Sequence, residues 1–136
     1  MAHGNDDGHI GTWALVRGTC VLDDGSPGPL PYGGDGVIGR VVLGADGRMA
    51  AVICQNDASI PTGGTREYTS YCGRYTFDGA RLVTRVDAAS DPARLGTDQV
   101  RDVRFEDGLM VLRPPPRVVD GRTQHRELYW RKIADT

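Results

Sequence analysis

Residues 67–87 read EYTSYCGRYTFDGARLVTRVD and contain two runs of β-branched and aromatic residues around Asp78-Gly79. An Asp-Gly pair between two alternating runs is a strong signal for a β-hairpin, because these residues tolerate the positive φ angles of the turn. The same arrangement recurs at Asp46-Gly47 and at Asp107-Gly108. This stretch therefore predicts an antiparallel hairpin and sets the pattern for the rest of the chain.

Strand-like runs follow one another with short connections. We predict strands over residues 12–22, 37–43, 48–54, 67–77, 81–87, 98–105, 109–113 and 124–133. A Gly- and Pro-rich loop at 26–35, a polar loop or frayed helical turn at 55–66, and one helical turn around Asp91-Pro92 interrupt them. An all-β fold of about eight antiparallel strands joined mainly by hairpins favours a closed up-and-down barrel over a sandwich, which needs longer cross-overs.

Composition limits the range of functions. The chain has 136 residues, enough for one domain, which we place at 10–136 after a flexible N-terminus at 1–9. A net charge of −2 provides no basic field, so neither nucleic acid nor a membrane is an expected partner. The N-terminus does not resemble a secretory signal, and the three cysteines form no CxxC pair, which together predict a cytoplasmic protein. We expect no metal site and no cofactor.

Several short motifs, taken in order over residues 10–133, resemble the bacterial lipocalin-like domain family. They are Gly11-Thr12-Trp13, Gly39-Arg40, Asp46-Gly47-Arg48, Tyr71-Cys72-Gly73-Arg74-Tyr75, Gly96 with Val100-Arg101, and Leu128-Tyr129-Trp130-Arg131. The resemblance implies a small β-barrel around a pocket for an apolar small molecule. It also implies that a cofactor-free isomerase, cyclase or lyase activity is compatible with the fold. Members often carry a His pair where this chain has Thr84 and Arg85, so no acid–base role of such histidines is expected here.

Trp13 on the first strand has two interpretations. By the resemblance, such a tryptophan closes one end of the barrel, with an arginine of the last strand stacked on its face, and Arg131 is the candidate. Alternatively, Trp13 is one of the residues that line a ligand pocket. The other residues we expect in that pocket are Arg74, Phe77, Phe105 and Trp130.

The strand at 67–77 supplies the best catalytic candidates. Alternation places Tyr71, Gly73, Tyr75 and Phe77 on one face and Cys72 and Arg74 among the residues on the other. If the first face is turned inward, the phenols of Tyr71 and Tyr75 can donate hydrogen bonds to a carbonyl or enolate oxygen. If the second face is inward, Arg74 and Cys72 line the cavity instead. Gly73 marks a bend or the close approach of another group.

Arg101 is the best candidate for a charge inside the barrel. Alternation places it on the same face of its strand as Val103 and Phe105, which are both apolar. We assign it a catalytic role together with the two tyrosines. An inward guanidinium needs a partner, and we expect either a carboxylate or an anionic substrate. The candidate carboxylates are Asp87, Asp102 and Glu127.

Three functional hypotheses remain open from the sequence. The first is a cofactor-free isomerase, cyclase or lyase that acts on an apolar carbonyl-containing small molecule. The second is a carrier or sensor that binds a hydrophobic ligand without changing it. The third is a barrel filled by its own side chains that binds other proteins. The low number of bulky aromatic residues favours an open pocket and so the first two, and a homodimer is compatible with a domain of this size.

Overall fold

The structure is a computed structural model that describes residues 8–34, 36–56 and 59–135. The described chain forms nine strands and two short 3-10 turns, at Pro31–Gly33 and Pro92–Arg94. The strands are β1 (Gly11–Leu22), β2 (Val37–Leu43), β3 (Arg48–Gln55), β4 (Tyr68–Phe77), β5 (Arg81–Ala89), β6 (Asp98–Glu106), β7 (Leu109–Arg113), β8 (Arg117–Val119) and β9 (Arg122–Ala134). The prediction of eight strands is confirmed, and each predicted end lies within two residues of the observed one.

Eight of these strands close into an antiparallel barrel. Strands β1 to β7 pair in sequence order, β7 pairs with β9, and β9 pairs with β1. The β1–β9 seam is the longest, running from Thr12 opposite Ala134 to Leu22 opposite Gln124. Each of these eight strands therefore has a hydrogen-bonded neighbour on both sides, which reduces the sites where another strand could add.

Strand β8 is the one that the sequence did not predict. Its three residues pair with Arg122–Gln124 at the start of β9, whereas β7 pairs with β9 further along, at Leu128–Trp130. Three consecutive prolines at 114–116 separate β7 from β8, and prolines cannot donate to a strand ladder. A strand of three residues after such a break carries too little alternation to be recognised from sequence.

The three predicted Asp-Gly pairs and a fourth, Asp120-Gly121, lie between consecutive strands. At Asp46-Gly47 and Asp78-Gly79 only the glycine has a positive φ, whereas both residues of the other two pairs do. Asp107 and Gly108 have φ values of 52° and 79°, and Asp120 and Gly121 have values of 52° and 77°. Two successive positive φ angles are the requirement of the tight hairpin turn whose twist matches that of the strands. The predicted helical turn is also present, with the Asp91 carboxylate accepting a hydrogen bond from the Ala93 N–H at 2.9 Å.

One end of the barrel is closed by aromatic rings. The ring of Trp13 is 3% exposed, and its Nε1–H donates to the carbonyl of His9 at 2.9 Å. Phe105 lies 6.3 Å from Trp13 and 6.4 Å from Phe77, measured between ring centroids. The centroids of His9 and Phe77 are 4.5 Å apart. The closing role inferred for Trp13 thus agrees with its position in the structure.

Two expectations at this end need correction. Arg131 is not the cation over Trp13: it is exposed, and the ammonium of Lys132 lies 5.2 Å from the ring centroid instead. The reason is alternation, because Trp130 and Lys132 point inward and Arg131 between them must point outward. The sequence also placed His9 in the flexible N-terminus. The structure buries its ring against Tyr75 and Phe77, while residues 1–7 lie outside the described residues.

The apolar core fills the middle of the barrel. It consists of inward side chains from most strands, namely Trp13, Val41, Leu43, Met49, Ala51, Ile53, Tyr75, Leu82, Met110, Leu112 and Trp130. Residues of both 3-10 turns and several of these core residues line a cavity inside the barrel.

Candidate functional site

A cavity of about 80 Å³ lies inside the barrel. Buried core residues line its inner part, among them Val41, Met49, Ala51, Leu112 and Trp130. Half-buried residues line its outer part, among them Pro31, Tyr32, Tyr71, Arg94 and Pro114. The volume is well below the roughly 300 Å³ at which ordinary ligand pockets begin, so the space suits a compact molecule.

Three arginines line this otherwise apolar cavity. They are Arg94 on the second 3-10 turn, Arg101 on β6 and Arg126 on β9, each half-buried. Arg94 Nη1 donates to Gln99 Oε1 at 2.7 Å, and Arg101 Nη2 donates to the same oxygen at 3.3 Å. Arg101 Nη1 also donates to the carbonyl of Val100 at 2.8 Å. A single neutral oxygen is therefore shared by two guanidinium groups.

The carboxylates considered as partners for Arg101 are engaged elsewhere. Asp87 binds Arg48 at 2.6 Å. Asp102 lies 3.4 Å from Arg81, and Glu127 binds Arg104. These pairs lie on the outer face of the barrel, because each acid alternates with an inward residue of its strand. Of the residues that the structure describes, none supplies a carboxylate to the three cavity arginines.

Two buried N–H donors of the cavity residues have no hydrogen-bond acceptor in the described part of the chain. They are Nε of Arg126 and Nε1 of Trp130, whose side chain is 1% exposed. Burial lowers the pKa of the Arg126 guanidinium below its usual range, and the positive charges of Arg117 and Arg101 lower it further. A buried donor without an acceptor is costly, roughly 1–3 kcal/mol, and so is a charge without a counter-charge. These two donors therefore favour a ligand with oxygen atoms that can accept hydrogen bonds.

The predicted catalytic residues fall at two separate places. Tyr71 and Arg101 both line the cavity, and the Arg94 guanidinium lies 5.4 Å from the Tyr71 ring centroid. Tyr75 lies nearer the closed end, 8% exposed, and its hydroxyl donates to the Gly44 carbonyl at 2.7 Å. The three residues therefore do not meet around one ligand.

The predicted pocket residues are distributed in the same way. Trp130 lines the cavity, whereas Trp13, Phe77 and Phe105 belong to the aromatic cluster of the closed end. Arg74 is exposed on the outer face of β4, opposite Arg48 of β3 and Arg85 of β5. The inward face of β4 is the one with Tyr71, Gly73 and Tyr75, which excludes Arg74 and Cys72 from the interior.

The sequence analysis missed most of the residues that line the cavity, among them Arg126, Arg94 and Tyr32. Arg126 shares its parity on β9 with Leu128 and Trp130, so the alternation that placed Trp130 inside could have identified it. Arg94 and Tyr32 reach the cavity from the 3-10 turns, and Tyr32 adopts a φ of 56°. Their positions depend on how the connecting loops cross the barrel mouth, and strand periodicity carries no signal for that.

No metal site competes with this cavity in residues 8–34, 36–56 and 59–135, where no group of three or more His, Cys, Asp or Glu side chains is placed to bind an ion. The described chain also has no helix with the length and apolar character needed to cross a membrane.

A closed eight-stranded barrel with an interior cavity defines a class of small-molecule-binding β-barrels. The model of the lipocalin-like domain family matches residues 10–133, and the chain belongs to this family. Searches of curated proteins and of solved structures find no match. The family therefore supports small-molecule binding, and the particular ligand has to be argued from the cavity.

Proposed function

We propose that this protein binds an apolar, carbonyl-containing small molecule in the barrel cavity and converts it without a cofactor, as an isomerase or cyclase. One observation carries the proposal: Tyr71 and Arg101, which carry a phenol and a guanidinium group, line the same small cavity. Such donors stabilise negative charge that develops on a carbonyl oxygen, and they do so most strongly where bound substrate displaces water. Removal of one comparable donor costs roughly 100-fold or more in rate in well-studied enzymes.

The cavity favours reactions that depend on orientation. Its described lining residues include no carboxylate and no imidazole, the usual general bases. A rearrangement or ring closure needs the reacting atoms to be held in contact and charge on oxygen to be stabilised. A lyase reaction that begins with proton abstraction by a strong base is less well supported by the same residues.

A carrier or sensor is the competing function. It uses the same cavity and the same donors, but it releases the ligand unchanged. The two are separated by incubating the protein with a small-molecule extract of its own host and analysing the mixture by mass spectrometry. Depletion of one compound with the appearance of an isomer of equal mass supports the enzyme. Retention of a compound without any product supports the carrier.

The binding step is tested with two compact neutral carbonyl probes, cyclohexanone and benzaldehyde, by ligand-observed NMR. Ala51 lines the cavity at 3% exposure, whereas the neighbouring Ala50 is exposed on the outer face. Ala51→Leu should fill part of the cavity and reduce probe binding, and Ala50→Leu is the matched control. Overpacking costs roughly 1–3 kcal/mol, so the melting temperature of each variant is measured first. Equal binding by both variants would place the probes elsewhere and contradict the proposal.

The assembly state and the location remain predictions. The outer face of β2 to β4 exposes apolar side chains, with Val42 39%, Val52 44% and Tyr68 52% exposed. This supports the predicted homodimer, and Val52→Glu should shift a dimer to monomer in light scattering. A monomeric parent protein would refute the homodimer.

The cytoplasmic assignment rests on cysteine usage and is checked by cell fractionation.

A further inference from the structure

We propose that the ligand of this cavity carries a carboxylate, and that Arg94, Arg101 and Arg126 bind that group while the inner cavity holds a compact apolar body. This inference rests on the proposed function and adds the charge and the size of its ligand. It follows from the charge balance of the cavity, from the geometry around Gln99 and from the volume available.

The charge balance of the cavity lacks a negative partner. Three guanidinium groups line it, and the described residues offer them one amide oxygen and one backbone carbonyl as acceptors. Several arginines of the outer face are paired with acids, among them Arg48 with Asp87, Arg81 with Asp102 and Arg85 with Asp98. A half-buried cluster of like charges is unfavourable unless an anion binds within it.

The geometry around Gln99 marks where an anionic oxygen is favoured. The guanidinium groups of Arg94 and Arg101 converge on Gln99 Oε1, at 2.7 Å and 3.3 Å. The amide nitrogen of Gln99 is itself held by Thr97 Oγ1 at 3.2 Å, which fixes which end of the amide faces the arginines. Each guanidinium carries five N–H donors in a planar fork, so both have donors beyond these contacts for the two oxygens of a carboxylate.

Arg126 completes the site from a nearby strand, because β7 alone lies between β6 and β9. It reaches the cavity from β9, in the same inward row as Leu128 and Trp130. Its buried Nε donates to no acceptor of the described chain, and the Nε1 of Trp130 is in the same situation. A carboxylate between Arg126 and Arg101 would supply acceptors and also neutralise their mutual repulsion.

The volume of the cavity limits the rest of the ligand. About 80 Å³ of space beside Met49, Ile53 and Trp130 admits one ring or a short branched chain, not a long acyl chain or a large polycyclic molecule. The expected ligand class is therefore a compact carboxylic acid with an apolar body.

The test compares cyclohexanecarboxylate with cyclohexanecarboxamide, which share a shape and differ in charge. Ligand-observed NMR titration at low salt should give a Kd for the carboxylate at least tenfold lower than that for the carboxamide. The difference should shrink as salt is added, since screening weakens charge interactions. Arg101→Met and Arg126→Met should each weaken carboxylate binding roughly tenfold or more, the usual range for a charge-assisted hydrogen bond. Carboxamide binding should weaken less in each variant, so the ratio of the two Kd values should move towards one.

Arg122→Met is the matched control, because it removes one positive charge from the same strand at an exposed position. Arg122 lies 3.5 Å from Asp24, outside the cavity. Equal affinity for the two probes, or equal loss in all three variants, would overturn the carboxylate inference and leave the apolar pocket standing. Binding of neither probe would also overturn it. The proposed function would then be judged separately, by the neutral carbonyl probes and the Ala51→Leu variant.

Discussion

At the scale of single residues, two tyrosines on the same face of β4 have different roles. Tyr75 OH is committed to the Gly44 carbonyl at 2.7 Å near the closed end, whereas Tyr71 lines the cavity. We expect Tyr75→Phe to destabilise the fold by about 1 kcal/mol, the usual value of one hydrogen bond, and to leave ligand binding unchanged. Tyr71→Phe should have the opposite effect, with stability nearly unchanged and binding of a neutral carbonyl probe weakened about 2- to 10-fold.

Chemical denaturation and probe titration of both variants check this pair. Each variant serves as the control for the other, because both lose one phenolic oxygen from the same strand. Weakened probe binding in Tyr75→Phe with full binding in Tyr71→Phe would reverse the assignment.

Arg126 should make the ligand-free protein less stable than it could be. Its guanidinium is half-buried, its pKa is lowered by burial and by Arg117 and Arg101, and its Nε has no acceptor in the described chain. Replacing it by methionine keeps the apolar stem and removes the charge. We expect Arg126→Met to raise the free energy of unfolding by about 1 kcal/mol, or the melting temperature by roughly 3–5 °C.

Differential scanning calorimetry of Arg126→Met and Arg122→Met checks this expectation. Arg122 is exposed, so its loss should change the melting temperature by about 1 °C or less. A lower melting temperature for Arg126→Met would mean that the charge is compensated in the folded protein. If Arg126→Met is more stable and also binds the carboxylate more weakly, the arginine contributes to ligand binding and lowers the stability of the fold.

At the scale of strands and turns, Gly73 shows why the barrel needs a glycine at one position. A Cβ atom added there would lie 1.9 Å from the backbone oxygen of Arg85. The pairing of β4 and β5 shifts at this point, from Cys72 opposite Ala88 to Gly73 opposite Val86, so Asp87 is the extra residue of a β-bulge. The prediction of a bend or a close approach at Gly73 is therefore confirmed.

Gly73→Ala should destabilise the protein strongly, by about 3 kcal/mol or more, because backbone and not a movable side chain opposes the new methyl group. Thr76→Ala, at an exposed position of the same strand, is the control and should cost less than about 1 kcal/mol. Urea unfolding of both variants measures the difference. Similar urea midpoints for Gly73→Ala and Thr76→Ala would show that the backbone of β5 can shift at the bulge at little cost in stability.

The sequence predicted most of the strands but only part of the site. The difference has a physical reason, because strand residues follow an alternating pattern and turn residues do not. Strands alternate with a period of two, so the inward position of Arg101 could be inferred from the apolar residues that share its face. For Tyr71 the alternation gave only the residues on its face and left open which face points inward. The same rule would have preferred Lys132 to Arg131 beside Trp13, had it been applied to β9 rather than the family pattern. Tyr32 and Arg94 could not be placed in this way, because they lie on turns whose path is set by barrel closure.

At the scale of the whole molecule, outward ion pairs and turn hydrogen bonds make stability depend on pH. The pKa values of several carboxyl groups are lowered by hydrogen bonds: Asp23 by His125, Asp24 by Ser26, Asp78 by the N–H groups of Ala80 and Arg81, Asp87 by Arg48, and Glu127 by Arg104. Each group binds a proton less readily in the folded chain than in the unfolded one. Their stabilisation is therefore complete above their ordinary values of 3.8 to 4.5 and is lost as the pH falls through the lower folded values.

The melting temperature should accordingly change little between pH 6 and pH 8 as far as these groups are concerned, and should fall steeply below about pH 4.

Glu127 tests the cause, because it is the most buried of these acids and also accepts a hydrogen bond from Tyr129 at 3.2 Å. Glu127→Gln should lower stability by about 1 kcal/mol at pH 7 and by less at pH 3, because pH 3 lies below the ordinary pKa of 4.5 and part of the stabilisation from the lowered pKa is lost there. Glu67→Gln, at an exposed position before β4, is the control and should follow the parent curve throughout. If Glu127→Gln and the parent protein differ by the same amount at pH 3 and pH 7, the contribution of Glu127 comes from packing and not from its charge.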